Sequence, residues 1–164
     1  MNRFILTFCL AVGFGLSASE QVATNFSGTW IRDQAKSDPM GTLVGGSVQT
    51  IDASLTVKQD ANRLQVETRW SHKPATQTNY LLDGSENALQ GAPDGLFYRA
   101  KWAANKLVIE QYGSVSSPFG TTEVNTKEEW SLSENGKILT VATVSRGFGG
   151  EMETRKQIYN RQMP

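Results

Sequence analysis

Apolar and polar residues alternate with a period of two along most of this chain, and no segment repeats them convincingly at helical spacing. Val, Leu, Thr, Tyr and Trp fill the alternating runs, and Gly, Asn and Asp punctuate them. The pattern predicts strands near 26–32, 49–58, 63–72, 76–83, 87–90, 96–103, 106–113, 121–132, 137–146 and 151–161. Nearly all the links are short, which makes consecutive strands antiparallel neighbours in a meander.

Turn residues then set register, and register decides which side chains share a face. With Asn135-Gly136 as a two-residue loop, Leu132 faces Leu139, Trp130 faces Val141 and Glu128 faces Thr143. Ala104-Asn105 sets Trp102 opposite Leu107, Ala100 opposite Ile109 and Tyr98 opposite Gln111. Asp60-Ala61 sets Val57 opposite Leu64 and Leu55 opposite Val66. Arg63, Gln65, Glu67, Arg69, Lys127 and Glu129 fall on the other face, so one side of the sheet is wet and the other buried. No helix is available to cover the apolar side. Closure on itself is the economical answer: an all-β, single antiparallel up-and-down meander barrel of about 8–10 strands.

The N-terminus adds a compartment. Arg3, an apolar run from Phe4 to Leu16, and small residues 17–19 have the three-part layout of a secretory signal peptide. Residues 1–18 are expected to be removed, leaving a single domain over 19–164. The apolar run is shorter than the ~20 residues a membrane-crossing helix needs, so no integral span is expected in the mature chain. Loss of Arg3 leaves 15 basic against 16 acidic residues. Without a basic block, nucleic acid is not an expected partner. The only cysteine, Cys9, departs with the leader, which excludes disulfides, cysteine catalysis and thiolate metal sites. Export without disulfides fits a bacterial periplasm, or secretion.

The stretch "NFSGTWIRDQAKS" (25–37) carries a more specific signal. Gly28-Thr29-Trp30 in the first strand of a meander resembles the calycin superfamily of lipocalins, fatty-acid-binding proteins and avidins. Within it, Phe26 to Trp30 followed by Ala35-Lys36-Ser37 resembles bacterial exported lipocalin-like proteins, as does the terminal pair Tyr159 and Arg161. The resemblance implies that Trp30 closes one end of the barrel with Arg161 stacked on its ring, Gly28 admitting a close neighbour and Tyr159 beside them. Avidin-like biotin binding does not follow, because Ile31-Arg32-Asp33 lacks the Asn that holds the biotin ureido group.

The inward face holds more polar groups than a core needs. Trp70, Tyr98, Trp102 and Trp130 are candidates to hold the apolar body of a ligand. His72, Gln111, Glu128 and Arg155 are candidates for its polar end. A five-residue loop in the last hairpin is expected to set Thr143 opposite Glu153 and Val141 opposite Arg155, bringing Glu128, Glu153 and Arg155 together. A rim salt bridge is the plainer reading of that cluster. The link 33–48, with Met40, Leu43 and Val44, reads as a lid over the open end, joined by Phe148 from a second glycine-rich link. No metal-ligand spacing, phosphate-cradling loop or nucleophile elbow occurs, so no cofactor, metal or catalytic residue is assigned.

These residues lead to non-catalytic binding of a small apolar or amphipathic molecule inside the barrel. Two alternatives remain. One is a barrel enzyme of isomerase, cyclase or hydratase type using His72 and an interior carboxylate. The other is an interaction module or inhibitor whose barrel is filled. Sequence leaves the oligomeric state open.

Overall fold

The computed structural model describes residues 24–44, 47–50, 52–71, 73–118, 120–133, 135–146 and 150–163, with backbone alone over 41–44 and 47–50. The leader 1–18, His72 and Phe148 lie outside the described residues. Twelve strands follow in chain order. They are β1 (Gly28–Arg32), β2 (Gly41–Val44), β3 (Ser47–Thr50), β4 (Ala53–Gln59), β5 (Arg63–Trp70) and β6 (Lys73–Leu81). The second half contains β7 (Asn87–Ala88), β8 (Leu96–Ala103), β9 (Lys106–Ser117), β10 (Gly120–Leu132), β11 (Ile138–Arg146) and β12 (Met152–Gln162). No helix occurs among the described residues.

Ten strands form one antiparallel sheet in the order β6-β5-β4-β1-β12-β11-β10-β9-β8-β7, with β12 returning to β1. The two edges of this sheet meet across a seam. There Gly84 N–H donates to Ala100 O at 2.9 Å, and Leu81 N–H donates to the Tyr98 hydroxyl at 3.0 Å. Tyr80 and Tyr98 pack edge to face over the same seam, with ring centroids 5.1 Å apart. The result is a nearly closed barrel whose last gap is bridged mostly by side chains.

Two expected registers match the structure and two shift. The hairpins at Asn135-Gly136 and Ala104-Asn105 pair as the turn residues dictate. In the β4–β5 hairpin, Val57 pairs with Val66 and Leu55 with Thr68, two positions from expectation. The cause is Asp60, whose carboxylate accepts the backbone N–H groups of Asn62 at 2.9 Å and Arg63 at 2.8 Å. Asp60 therefore flanks the turn instead of occupying its centre. The last hairpin begins pairing at Arg146 and Met152, so Thr143 faces Arg155 and Val141 faces Gln157. Both shifts are even, so every inward residue stays inward.

The link after β1 also departs from the expected irregular lid, because residues 41–44 and 47–50 pair as the β2–β3 hairpin. Before it, residues 33–38 extend the β1 wall along β12. Asp33 N–H donates to Ile158 O at 2.8 Å and Asp38 N–H to Lys156 O at 2.9 Å. Ser37 Oγ accepts the Ile158 N–H at 2.8 Å.

One end of the barrel is filled. Phe26, Trp30, Leu64, Leu107, Ile109 and Leu139 have no exposed surface. Phe26 forms a plug: its ring lies parallel to Trp102 with centroids 5.8 Å apart, and edge-on to Trp130 at 5.9 Å. Gln59 ties the plug down, accepting Phe26 N–H at 2.9 Å and donating to Thr24 O at 3.0 Å. Burying several aromatic side chains at ~25 cal/mol per Å² of apolar surface makes this end the stable base of the barrel.

Candidate functional site

Three neighbours build the closed end around Trp30. Its indole N–H donates to Phe26 O at 2.9 Å, which satisfies the one polar atom of a fully buried ring. Arg161 lies over the ring with its guanidinium carbon 4.3 Å from the centroid. The guanidinium is held there by bonds to Gly136 O and Ser27 O, both 2.9 Å. Gly28, at φ +143°, leaves room for it, since a Cβ there would stand 3.2 Å from an Arg161 Nη. These contacts have structural character. Tyr159 is buried in the barrel wall opposite Arg32 and Leu139, in the same core cluster as Trp30.

Above the plug the interior turns polar. Register places Thr126, Glu128 and Trp130 of β10 on the face that carries Thr143 of β11 and Gln111 of β9. Gln111 donates to the Tyr80 hydroxyl at 3.1 Å, and the Trp130 indole N–H donates to Glu128 Oε2 at 2.9 Å. Arg32, at the end of β1, is buried, with Nε 2.5 Å from Gln157 Oε1 and Nη2 2.7 Å from Asp38 O. Gln157 is also buried and donates to the same Asp38 carbonyl at 3.1 Å. Two strands and the link that follows β1 thus meet on one carbonyl, and the bonds tie that link to the barrel.

Glu128 is the centre of this belt. Burial pushes its carboxyl above the ordinary carboxylate range, and the Trp130 hydrogen bond offsets only part of that. Its negative charge in turn raises the phenols of Tyr80 and Tyr159, whose own burial is the larger cause. Tyr159 is pushed up to about 12, with Arg32 pulling the other way. Although protein surrounds it, Glu128 is only half-buried by surface, and the same holds for Gln111, Thr126 and Thr143. Enclosed side chains that keep accessible surface border an internal space. Above the filled base these side chains keep accessible surface.

The structure therefore brings Tyr98, Gln111, Glu128 and Trp130 together in one interior region. Trp102 shares the barrel but belongs to the base, stacked on Phe26. Trp70 is half-buried, opposite Ala53 and next to a bulge in β5. Arg155 corrects the expected cluster: it is exposed and pairs with Glu153 at 2.8 Å. The register shift moves it toward the rim and puts Gln157 in its expected place opposite Val141. Among the lid residues, Met40 is half-buried, and Leu43 and Val44 are placed only as backbone of β2. Three interior residues were missed: Phe26, Arg32 and Tyr80. Arg32 had a readable signal, because it shares the parity of Trp30 on its strand.

A cleft of about 870 Å³ lies along the seam, where Tyr80 and Tyr98 border it. Its other walls include Lys58, Arg63, Gln65, Asn79 and Asn87. Those from β4 and β5 alternate with buried core positions, so they face outward. The interior around Glu128 is the stronger candidate because it sets an enclosed carboxyl beside aromatic rings. No cluster of three metal-ligating side chains occurs among the described residues.

No known family model and no curated protein sequence matches the chain. Solved structures do. Secretory abundant heat soluble protein 4 from Ramazzottius varieornatus superposes with a TM-score of 0.56 at 16% identity, over 84% of this chain and 94% of that one. The two share an all-β, nearly closed antiparallel barrel. A protein described as the REP1-NXSQ fatty acid transporter matches with a TM-score of 0.54 at 13% identity, over 84% of this chain and 96% of its own. A second secretory abundant heat soluble protein from Ramazzottius varieornatus gives 0.55 at 12% identity, over 88% and 100%. At these identities the shared property is the fold.

Proposed function

We propose that this protein binds a small amphipathic molecule in the upper lumen of its barrel, without transforming it. The observation that carries the reading is the contrast within one barrel. The base is packed to zero exposure around Phe26 and Trp30, whereas Gln111, Thr126, Glu128 and Thr143 stay accessible above it. A filled module serving only as an interaction platform has no need for an enclosed, accessible carboxyl group. Fatty acid transport, the description of one structural neighbour, lends the reading weight by analogy of fold. The ligand's apolar part would lie against Trp130, Tyr98 and Tyr80, and its polar part against Gln111 and Glu128.

Export completes the proposal. The leader at residues 1–18 supports a bacterial periplasmic or secreted binding protein, to be checked by N-terminal sequencing of the mature chain. Native mass spectrometry of protein purified without detergent from its own host tests the binding role. A retained small molecule in a one-to-one adduct is expected. A spectrum of bare protein alone, from material that also takes up no added amphiphile, contradicts the reading.

A further inference from the structure

Glu128 decides more than whether the lumen is occupied. Its Oε2 accepts the Trp130 indole N–H, and among the described residues no hydrogen bond reaches its Oε1. No side-chain oxygen or nitrogen buried away from the surface is left without a partner among the described residues, so Oε1 has accessible surface. Glu128 shares the inward face of β10 with Thr126 and the buried Trp130, so that surface lies on the inner side of the barrel. Arg32, the buried cation, is presented differently. Only 6% exposed, it has Nε and Nη2 turned onto Gln157 and the Asp38 carbonyl. The ionisable group offered to a ligand is therefore an acceptor carboxyl, and the guanidinium is spent on the wall.

We propose that the lumen selects amphiphiles whose polar end is a cationic amine, with Glu128 Oε1 as the group that receives it. This rests on the lumen being the binding site. The chemistry favours an amine over a carboxylate in two ways. A carboxylate placed against Oε1 meets a second carboxyl in a poorly solvated space, and one of the two must hold a proton. An ammonium gives the buried carboxylate the counter-charge it lacks, in a charge-assisted bond stronger than a neutral one. Where Glu128 is protonated before binding, the entering ammonium keeps its protons and the carboxyl releases one to solvent. Amine affinity then rises with pH until Glu128 is ionised in the free protein. The titratable groups that feel its charge are Tyr80 on β6 and Tyr159 on β12, and Arg155 on β12, opposite Glu128's partner Thr143, is exposed and paired with Glu153. Burial raises both phenols, and it raises the Glu128 carboxyl.

The test is calorimetric titration of the mature protein with dodecylamine, dodecanol and dodecanoate below their micellar concentrations, at pH 6 and pH 8. Wild type is expected to bind dodecylamine at least about tenfold more tightly than dodecanoate, with no loss of amine affinity at the higher pH. Glu128→Gln keeps an acceptor for Trp130, so it preserves the wall. It is expected to weaken dodecylamine by about tenfold or more and to leave dodecanol within about threefold. Equal or tighter binding of dodecanoate by wild type overturns amine selection while leaving the lumen as a lipid site. So does an unchanged dodecylamine affinity in the variant. Failure of all three ligands to bind overturns the lumen reading itself.

Discussion

Arg161 stacks on Trp30 at 4.3 Å while its guanidinium also bonds Gly136 O and Ser27 O, so one side chain fastens the last strand to the first, to the Asn135-Gly136 turn and to the N-terminal plug. A cation over an indole contributes about 0.5–2 kcal/mol, and each charge-assisted bond adds to it. Arg161→Ala is expected to lower unfolding stability by about 2–3 kcal/mol, and Arg161→Lys by less because the cation is kept. Urea denaturation of the two variants checks the order. Equal stability of Arg161→Ala and wild type would show that the barrel closes without this contact.

Gly113 of β9 and Gly95, just before β8, mark a close backbone approach. Gly113 has φ +136°, and a Cβ on it would lie 2.0 Å from Gly95 O, a backbone atom that cannot swing away. Gly113→Ala is expected to cost about 2–4 kcal/mol, from strain and displaced backbone together. The loss should appear as a lower denaturation midpoint, whereas Gly120→Ala, with open space around its Cβ position, changes less.

The seam depends on Tyr98. Its hydroxyl accepts the Leu81 N–H at 3.0 Å, and Tyr98→Phe leaves that amide without this partner. A loss of about 1–3 kcal/mol is expected, together with faster amide hydrogen exchange at Leu81 than at β4 and β5 positions. Unchanged exchange at Leu81 contradicts the role assigned to this bond.

Glu128 makes stability depend on pH with a defined sign. Its folded-state pKa lies above the ordinary 4.5 because burial disfavours the charge. Stability linked to it is fully present below pH 4.5 and is lost as pH rises through the folded value, at about 1.4 kcal/mol per pH unit across that window. Glu128→Gln removes the term. The variant is expected to match wild type near pH 4 and to exceed it at pH 8 in thermal melts. A variant less stable than wild type at pH 8 contradicts the assignment of a desolvated carboxyl.

The barrel was legible in the sequence because alternation and turn residues act locally. Asn135-Gly136 and Ala104-Asn105 place their hairpins in register, and Trp30 with Arg161 could be paired from the family resemblance. Asp60 shows the limit: a carboxylate can cap a turn as well as sit in it, and the choice moved β4 against β5 by two residues. The same even slip in the last hairpin kept Arg155 on the correct face and at the wrong height. Height along the barrel separates a luminal residue from a rim residue, and period-two patterning carries no information about it. Arg32 was read only as the residue that excludes biotin, because its partners Gln157 and Asp38 lie far away in sequence.

Whether the upper lumen is a binding space is tested most directly by filling it. Thr143 faces Glu128 across the β10–β11 ladder and is half-buried. Thr143→Trp occupies the space above the base without touching the Trp30 closure. Wild type is expected to bind a twelve-carbon amphiphile one to one in calorimetric titration, and Thr143→Trp, folded by circular dichroism, is expected to lose that binding by about tenfold or more. Undiminished binding by the Trp variant would move the site out of the lumen and contradict the account.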